Sequence, residues 1–262
     1  MDDREFHPQL GVAAEAAQSV VVPRGVVFDK FAEDLLHPAS LMKLLTMYVA
    51  RRLAPDVSER VTVMEDDLYL GKKVPALRPG DSLSMEDLFF LSALPSHNGA
   101  ARILARAAGR SLVVGPPDRS YAEFVHAMGE QTKAWGWDGA VVGCASGLNP
   151  DSRLSASWIT QLMLRIYEED PWLLRVLGTP DRSVAISGGA RQTTLVHHTL
   201  KPSGVMNADG FLAGKTGTIR GTYGSVAVLE AEANGEIRCT TVLRSTPEAD
   251  RYKDLRTIRR YT

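Results

Sequence analysis

The sequence predicts an α/β (α+β) fold in which a five-stranded antiparallel sheet is assembled from both ends of the chain. Near the N-terminus, "QSVVV" and "GVVFDK" alternate like strands around "PRG", a hairpin signal. Near the C-terminus, "GFLAGKTGT", "TYGSVAVLEA" and "EIRCTTVLR" follow one another, with Asn234-Gly235 as the tight turn between the last two. The stretch between them reads mostly as helix. Helices therefore cover the faces of the sheet, and a largely helical lobe, roughly residues 60–185, is inserted beside it.

The helical elements follow from local signals. "HPASLMKLLTMYVARRLA", residues 37–54, is apolar almost all round and reads as a core helix, with Ser40 as its expected N-cap and Pro38 just before it. Its third residue is Lys43, a cation at the positive end of a helix dipole, where an acid or amide is the stable choice. Ser84 and Asp87 make a capping-box-like start to "MEDLFFLSAL", which Pro95 ends. Asn98 is expected to cap "GAARILARAAG", with Gly109 as its stop. "SASWITQLMLRIYEED" is a third amphipathic helix. "TPEADRYKDLRTIRRY" closes the chain, with Thr246 as cap and Pro247 in the first turn. The longest irregular stretch, about residues 138–153, contains "GCASGLNPDSR", and long loops in compact domains are often functional.

Composition sets the outer limits. The chain has 262 residues, 44% of them hydrophobic, enough for one large core or two lobes sharing a cleft. A net charge of −1 without a basic stripe argues against nucleic acid as partner. No apolar run approaches the ~18 residues of a transmembrane helix. The acidic start "MDDREFHPQL" is not a signal peptide. The protein is extracytoplasmic if a targeting segment has been removed and cytoplasmic if Met1 is the native start. Cys144 and Cys239 stand far apart and read as two buried thiols rather than a disulfide. The absence of HExxH or any Cys/His cluster argues against a metal, and nothing calls for a cofactor.

Three short motifs carry chemistry. In Ser40-Leu41-Met42-Lys43 the spacing puts the amine and the hydroxyl on one helix face. A serine is a weak nucleophile until a base takes its proton. An apolar wall and the helix dipole both disfavour charge on Lys43, which suits it to be that base. Ser96-His97-Asn98 occupies the turn between two helices, where serine and asparagine also serve simply as turn and cap. Lys215-Thr216-Gly217 lies on a strand, where a glycine marks close approach of a ligand or another backbone.

SxxK at a helix start, SxN in an interhelical turn and KTG on a strand form the motif set of penicillin-recognising serine enzymes. The chain resembles, over nearly its whole length, the low-molecular-weight penicillin-binding proteins, the serine-type D-alanyl-D-alanine carboxypeptidases. "LLHPASLMKLLT" is similar to that family's PAS-x-x-K-x-x-T segment, and "LRPGDSLSMEDLFFLSALPSHNGAARILARAAG" to its PGD…DLL…SGNDAA helix pair. "ASGLNPDSRLSA" resembles its GL…STA segment and "GFLAGKTGT" its DGIKTG-x-T strand.

The resemblance implies a β-lactamase/DD-peptidase-like fold, a single catalytic domain over 1–262 without the extra C-terminal β-domain of many members, and a bacterial source. The implied substrate is a peptidoglycan-type peptide ending in D-Ala-D-Ala, with β-lactams as covalent ligands. Residue by residue, it makes Ser40 the acylated nucleophile and Lys43 its base. Ser96 passes a proton to the leaving D-alanine, and Asn98 holds the substrate amide. Lys215 raises the local positive potential. Thr216, Gly217 and the strand edge bind the substrate's carboxylate and backbone. The N–H groups of Ser40 and Thr218 form the oxyanion hole, and Arg251 stands near the carboxylate pocket.

His97 departs from the family, which has glycine there. It is expected either to reach the cleft mouth as part of the substrate-binding wall or to point to solvent. His197 and His198 read as structural or cleft-edge residues.

Three rival readings share these motifs. A class A β-lactamase needs a glutamate in Glu-x-x-Leu-Asn, and the only x-x-Leu-Asn here begins with Ala145. A cytoplasmic serine acyltransferase or amidohydrolase on the same scaffold is favoured only by the missing signal peptide. A non-catalytic binding module is expected to lack Ser40, Lys43 or Lys215, and all three are present.

Overall fold

In the computed structural model the two ends of the chain meet within one sheet, and residues 11–68, 74–188 and 192–262 are described. The acidic segment 1–10, read above for targeting, lies outside the described residues. Strands β1 (Ala16–Val22) and β2 (Gly25–Lys30) form the N-terminal hairpin. Four short strands make two separate ribbons in the lobe: β3 (Arg60–Thr62) with β4 (Ser82–Ser84), and β5 (Asp181–Ile186) with β6 (Gln192–His197). Strands β7 (Phe211–Ile219), β8 (Tyr223–Ala231) and β9 (Ile237–Ser245) complete the main sheet in the order β2-β1-β9-β8-β7, every pair antiparallel. Val20 faces Cys239 and Ala16 faces Leu243 across the β1–β9 seam. Strand β7, which carries the KTG motif, is left at the edge of the sheet.

Seven helices surround it: α1 (Met42–Leu53), α2 (Met85–Ala93), α3 (Asn98–Gly109), α4 (Pro117–Ala134), α5 (Ala156–Glu169), α6 (Pro171–Gly178) and α7 (Arg251–Tyr261) among the described residues. The period-two alternation of β8 shows how both faces are covered. Val226 and Val228 pack with Leu255 and Ile258 of α7, while Ala227 and Leu229 join the larger core on the other face. Helix α1 is buried from Met42 through Ala50 at the centre of that core. Each fully buried leucine there, such as Leu44 or Leu45, contributes about 1.5–3 kcal/mol relative to exposure.

Three expected helix starts differ. Helix α1 begins at Met42, because a 3-10 turn over Ala39–Leu41 precedes it, and Leu41 N–H is satisfied by Pro38 O at 3.2 Å. Ser40 is thereby released from capping. His97, not Asn98, caps α3, its ring nitrogen accepting from Ala100 N at 3.0 Å. The terminal helix starts at Arg251 rather than near Thr246, because Pro247 is extended and a 3-10 turn, Glu248–Asp250, intervenes. Ser84 caps α2 as expected, accepting from Asp87 N at 3.0 Å. Both cysteines are free; Cys239 is buried, but Cys144 only half-buried, since it lies in the 138–153 loop. No helix among the described residues is long and apolar enough to cross a membrane.

Candidate active site

The 3-10 turn ahead of α1 presents Ser40, and its backbone is unusual. Ala39, the residue before the serine, has φ +50°, a left-handed conformation that a Cβ disfavours. Close packing from two sides holds it there. A Cβ on Gly147 would fall 1.8 Å from Ala39 O, and one on Gly217 of β7 would fall 2.9 Å from Pro38 O. Loop and edge strand thus clamp the turn, and glycine at 147 and 217 is what permits both approaches.

Lys43 is fully buried one turn further on. Its Nζ stands 2.8 Å from Ser40 Oγ, 2.9 Å from Asn98 Oδ1 and 2.7 Å from Ser146 O. This cluster joins α1, the start of α3 and the 138–153 loop. The loop itself folds around the Cys144 sulfur, which accepts from Asn149 N at 3.2 Å. Thr46, one turn beyond Lys43, ties the loop to α1 by donating to Ala145 O at 2.7 Å.

The second wall is the α2–α3 turn. Ser96 is buried and also left-handed, at φ +58°. His97 does not point to solvent: it is 3% exposed, its Nδ1 accepts from Ala100 N, and its Nε2 donates to Pro75 O at 3.1 Å. The solvent-facing alternative is corrected, because capping the helix turns the ring inward. It also leaves Asn98 Oδ1 available to Lys43.

Strand β7 forms the third wall. Lys215 is fully buried and its Nζ donates to Thr216 O at 2.8 Å. Thr216 Oγ1 lies 2.7 Å from Thr199 Oγ1. Next to Lys215, His198 donates from Nε2 to Gly214 O and accepts Leu200 N at Nδ1, so it is neutral. Burial first, and the Lys215 charge second, push its pKa down to about 4. His197, by contrast, is exposed and pairs with Asp181. Arg251, at the start of α7, donates to Gly217 O at 2.8 Å and Thr218 Oγ1 at 2.5 Å. The terminal helix therefore fixes the end of the KTG strand.

Of the residues singled out from sequence, direct hydrogen bonds unite Ser40, Lys43 and Asn98, and close packing brings Gly217 against the same turn. Sequence reasoning missed the Ser146 carbonyl, although "ASGLN" was noted, since a backbone acceptor leaves no side-chain signal. It also missed His37 and Tyr223, whose Nδ1 and hydroxyl lie 2.5 Å apart beside the Ser40 turn. Among the described residues, no group of three or more His, Cys, Asp or Glu could hold a metal.

Residues 9–243 match the family model for D-alanyl-D-alanine carboxypeptidase. The chain belongs to that family. It is a serine-type D-alanyl-D-alanine carboxypeptidase, a hydrolase. The fold is shared with the Streptomyces K15 DD-transpeptidase at 19% identity and a TM-score of 0.84, covering 95% of this chain and 97% of that one. It is also shared with a peptidoglycan synthesis regulatory factor (PBP3) from Streptococcus pneumoniae, at 22% identity and a TM-score of 0.78, covering 95% and 79%. No curated protein matches the sequence.

Proposed function

We propose that the protein removes the terminal D-alanine from peptidoglycan stem peptides through an acyl-enzyme on Ser40, and that β-lactams acylate the same hydroxyl. One observation carries this reading. Lys43 Nζ reaches Asn98 Oδ1 and Ser146 O, carbonyl oxygens that only accept, and Ser40 Oγ, which can also donate. A neutral amine has two N–H bonds and one lone pair. The two carbonyls take the N–H bonds, which aims the lone pair at the serine proton.

The reaction then proceeds in two halves. Ser40 Oγ attacks the carbonyl carbon of the penultimate D-alanine while its proton passes to Lys43 Nζ. The oxyanion accepts hydrogen bonds from the backbone N–H groups of Ser40 and Thr218. Collapse breaks the C–N bond, and the departing amine of D-alanine takes a proton relayed from Lys43 through Ser96 Oγ. Asn98 holds the substrate amide, and Thr216 with the edge of β7 holds its backbone and carboxylate. Lys215 adds positive potential for that carboxylate, and Arg251 keeps the strand end in position. In the second half water attacks the ester, gives its proton to the same base, and Ser40 recovers its own.

Hydrolysis of D-Ala-D-Ala peptide is favoured over β-lactam turnover by the 145 position. Ala145 is buried where a lactamase carries glutamate, and the nearby acids Asp138 and Asp151 are exposed. The substrate is a cell-wall peptide, so the proposed place of action is outside the cytoplasmic membrane. Release of D-alanine from a D-Ala-D-Ala peptide tests the reading. Wild type is expected to release it and Ser40→Ala to release none; equal release by both would refute the assignment.

A further inference from the structure

We infer that His37, in its neutral Nε2–H form, positions the nucleophile turn, so that acylation of Ser40 requires an uncharged imidazole. The inference rests on the acylation reading above. His37 touches no reacting atom; it is a positioning residue three places before Ser40, and it is buried.

The hydrogen bonds define its protonation. Nε2 lies 2.9 Å from Asn149 O, and a carbonyl only accepts, so Nε2 carries a hydrogen. The Ala39 N–H donates to Nδ1 at 3.3 Å, so Nδ1 carries a lone pair. The Tyr223 hydroxyl, 2.5 Å from Nδ1, donates to that lone pair as well. One neutral tautomer satisfies all three contacts. The cation does not: a hydrogen on Nδ1 would face the Ala39 N–H, donor against donor.

The three contacts join the Ser40 turn, the 138–153 loop and strand β8. Ala39 is the left-handed residue directly before the nucleophile. Asn149 belongs to the loop whose Ser146 carbonyl holds Lys43. Tyr223 heads β8, beside the end of β7. One ring thus ties the serine turn to the loop that clamps it and to β8, the strand paired with β7.

The surroundings favour the uncharged ring. Burial acts most strongly, and Arg153 from the loop and Arg244 at the end of β9 add repulsion; together these outweigh the Asn149 hydrogen bond and hold the pKa below the usual 6.5. Arg244 stacks on the Tyr223 ring at 4.8 Å and pairs with Glu15 at 3.1 Å. At neutral pH the turn is therefore braced. Acidification charges the ring and removes the acceptor for Ala39.

The test measures acylation by a fluorescent penicillin from pH 4.5 to 8.5 in wild type, His37→Asn and His37→Leu, with circular dichroism to check folding. Two groups, Lys43 and His37, must be deprotonated in wild type. Its acid limb is expected to steepen from about one to about two decades per pH unit below the His37 ionisation. His37→Leu is expected to lose about tenfold or more at pH 8. His37→Asn keeps an acceptor for the Ala39 N–H and does not titrate. It is expected to recover most of that loss and to keep a limb of about one decade per unit. Nitrogen-15 spectra of the wild-type imidazole are expected to show hydrogen on Nε2 alone at pH 7.5. A two-decade limb in His37→Asn, or hydrogen on Nδ1, overturns the inference while leaving the acylation reading intact. A folded wild type that takes no label overturns both.

Discussion

Gly217 of β7 lies against the carbonyl of Pro38, so the KTG strand and the nucleophile turn meet without a side chain between them. A carbon added at Gly217 would stand 2.9 Å from Pro38 O and 3.2 Å from Ala39 Cβ. Gly217→Ala must therefore push strand and turn apart by a few tenths of an ångström. Because Ser40 and Thr218 are proposed to supply the two oxyanion donors, such a shift acts on rate as well as on folding. Acylation by penicillin is expected to slow about tenfold or more at temperatures where the variant is still folded, and the melting temperature to fall. Stopped-flow labelling beside a thermal melt distinguishes this from simple destabilisation.

Asn98 gives a charge test of the lysine. Its Oδ1 lies 2.9 Å from Lys43 Nζ, and Asn98→Asp places a carboxylate there with almost no change in shape. A carboxylate at that distance favours the ammonium form and so withdraws the base. The pH profile of acylation is expected to move to higher pH, with the loss concentrated near neutrality and recovered in part in alkaline solution. An unshifted profile would show that the Lys43 amine is not the group that titrates.

Stability against acid follows from His198. Its pKa is pushed from 6.5 to about 4, by burial first and Lys215 second. As pH falls, the unfolded chain binds this proton before the native one does. The contribution is complete above about pH 6.5 and is lost progressively toward pH 4, amounting to about 3 kcal/mol. Urea unfolding at pH 7 and pH 4.5 is expected to show the loss, and His198→Gln to show a smaller one. Equal losses in both would place the acid sensitivity elsewhere.

The fate of the adduct separates peptidase from lactamase. Lys43 serves as base for water on the peptide ester, whereas rapid β-lactam release needs a second base at 145, typically worth ~10²–10⁴-fold. Ala145 supplies none, and a bound penicillin keeps its leaving group over the ester. After excess penicillin is removed, the adduct is expected to persist for minutes to hours by intact mass, while a D-Ala-D-Ala peptide is turned over. Loss of the adduct within seconds, without D-alanine release from peptide, would mark a lactamase.

The sheet and the reacting pair were legible in the sequence because both depend on short-range spacing. The strand alternation at each end and the three-residue interval between Ser40 and Lys43 are patterns that one element expresses by itself. Helix α4 was not read, although Phe124 and Met128 share its buried face, because the other buried positions, Ser120 and Thr132, are hydroxyls. The β3–β4 and β5–β6 ribbons were too short and polar to stand out. Capping was misjudged where neighbours compete: His97 and Asn98 can both cap, and the contest is decided by the distant Pro75 carbonyl and by Lys43. The roles of Ser146 O and His37 belong to tertiary contact alone.

The central claim is that the Lys43 amine takes the proton of Ser40. It is tested most directly by intact mass and peptide mapping after penicillin treatment of wild type and Lys43→Arg. The account predicts a single adduct on the Ser40 peptide in wild type. The arginine variant, which cannot deprotonate, should remain folded and acylate orders of magnitude more slowly. An adduct on any other residue, or equal rates for the two proteins, would contradict it.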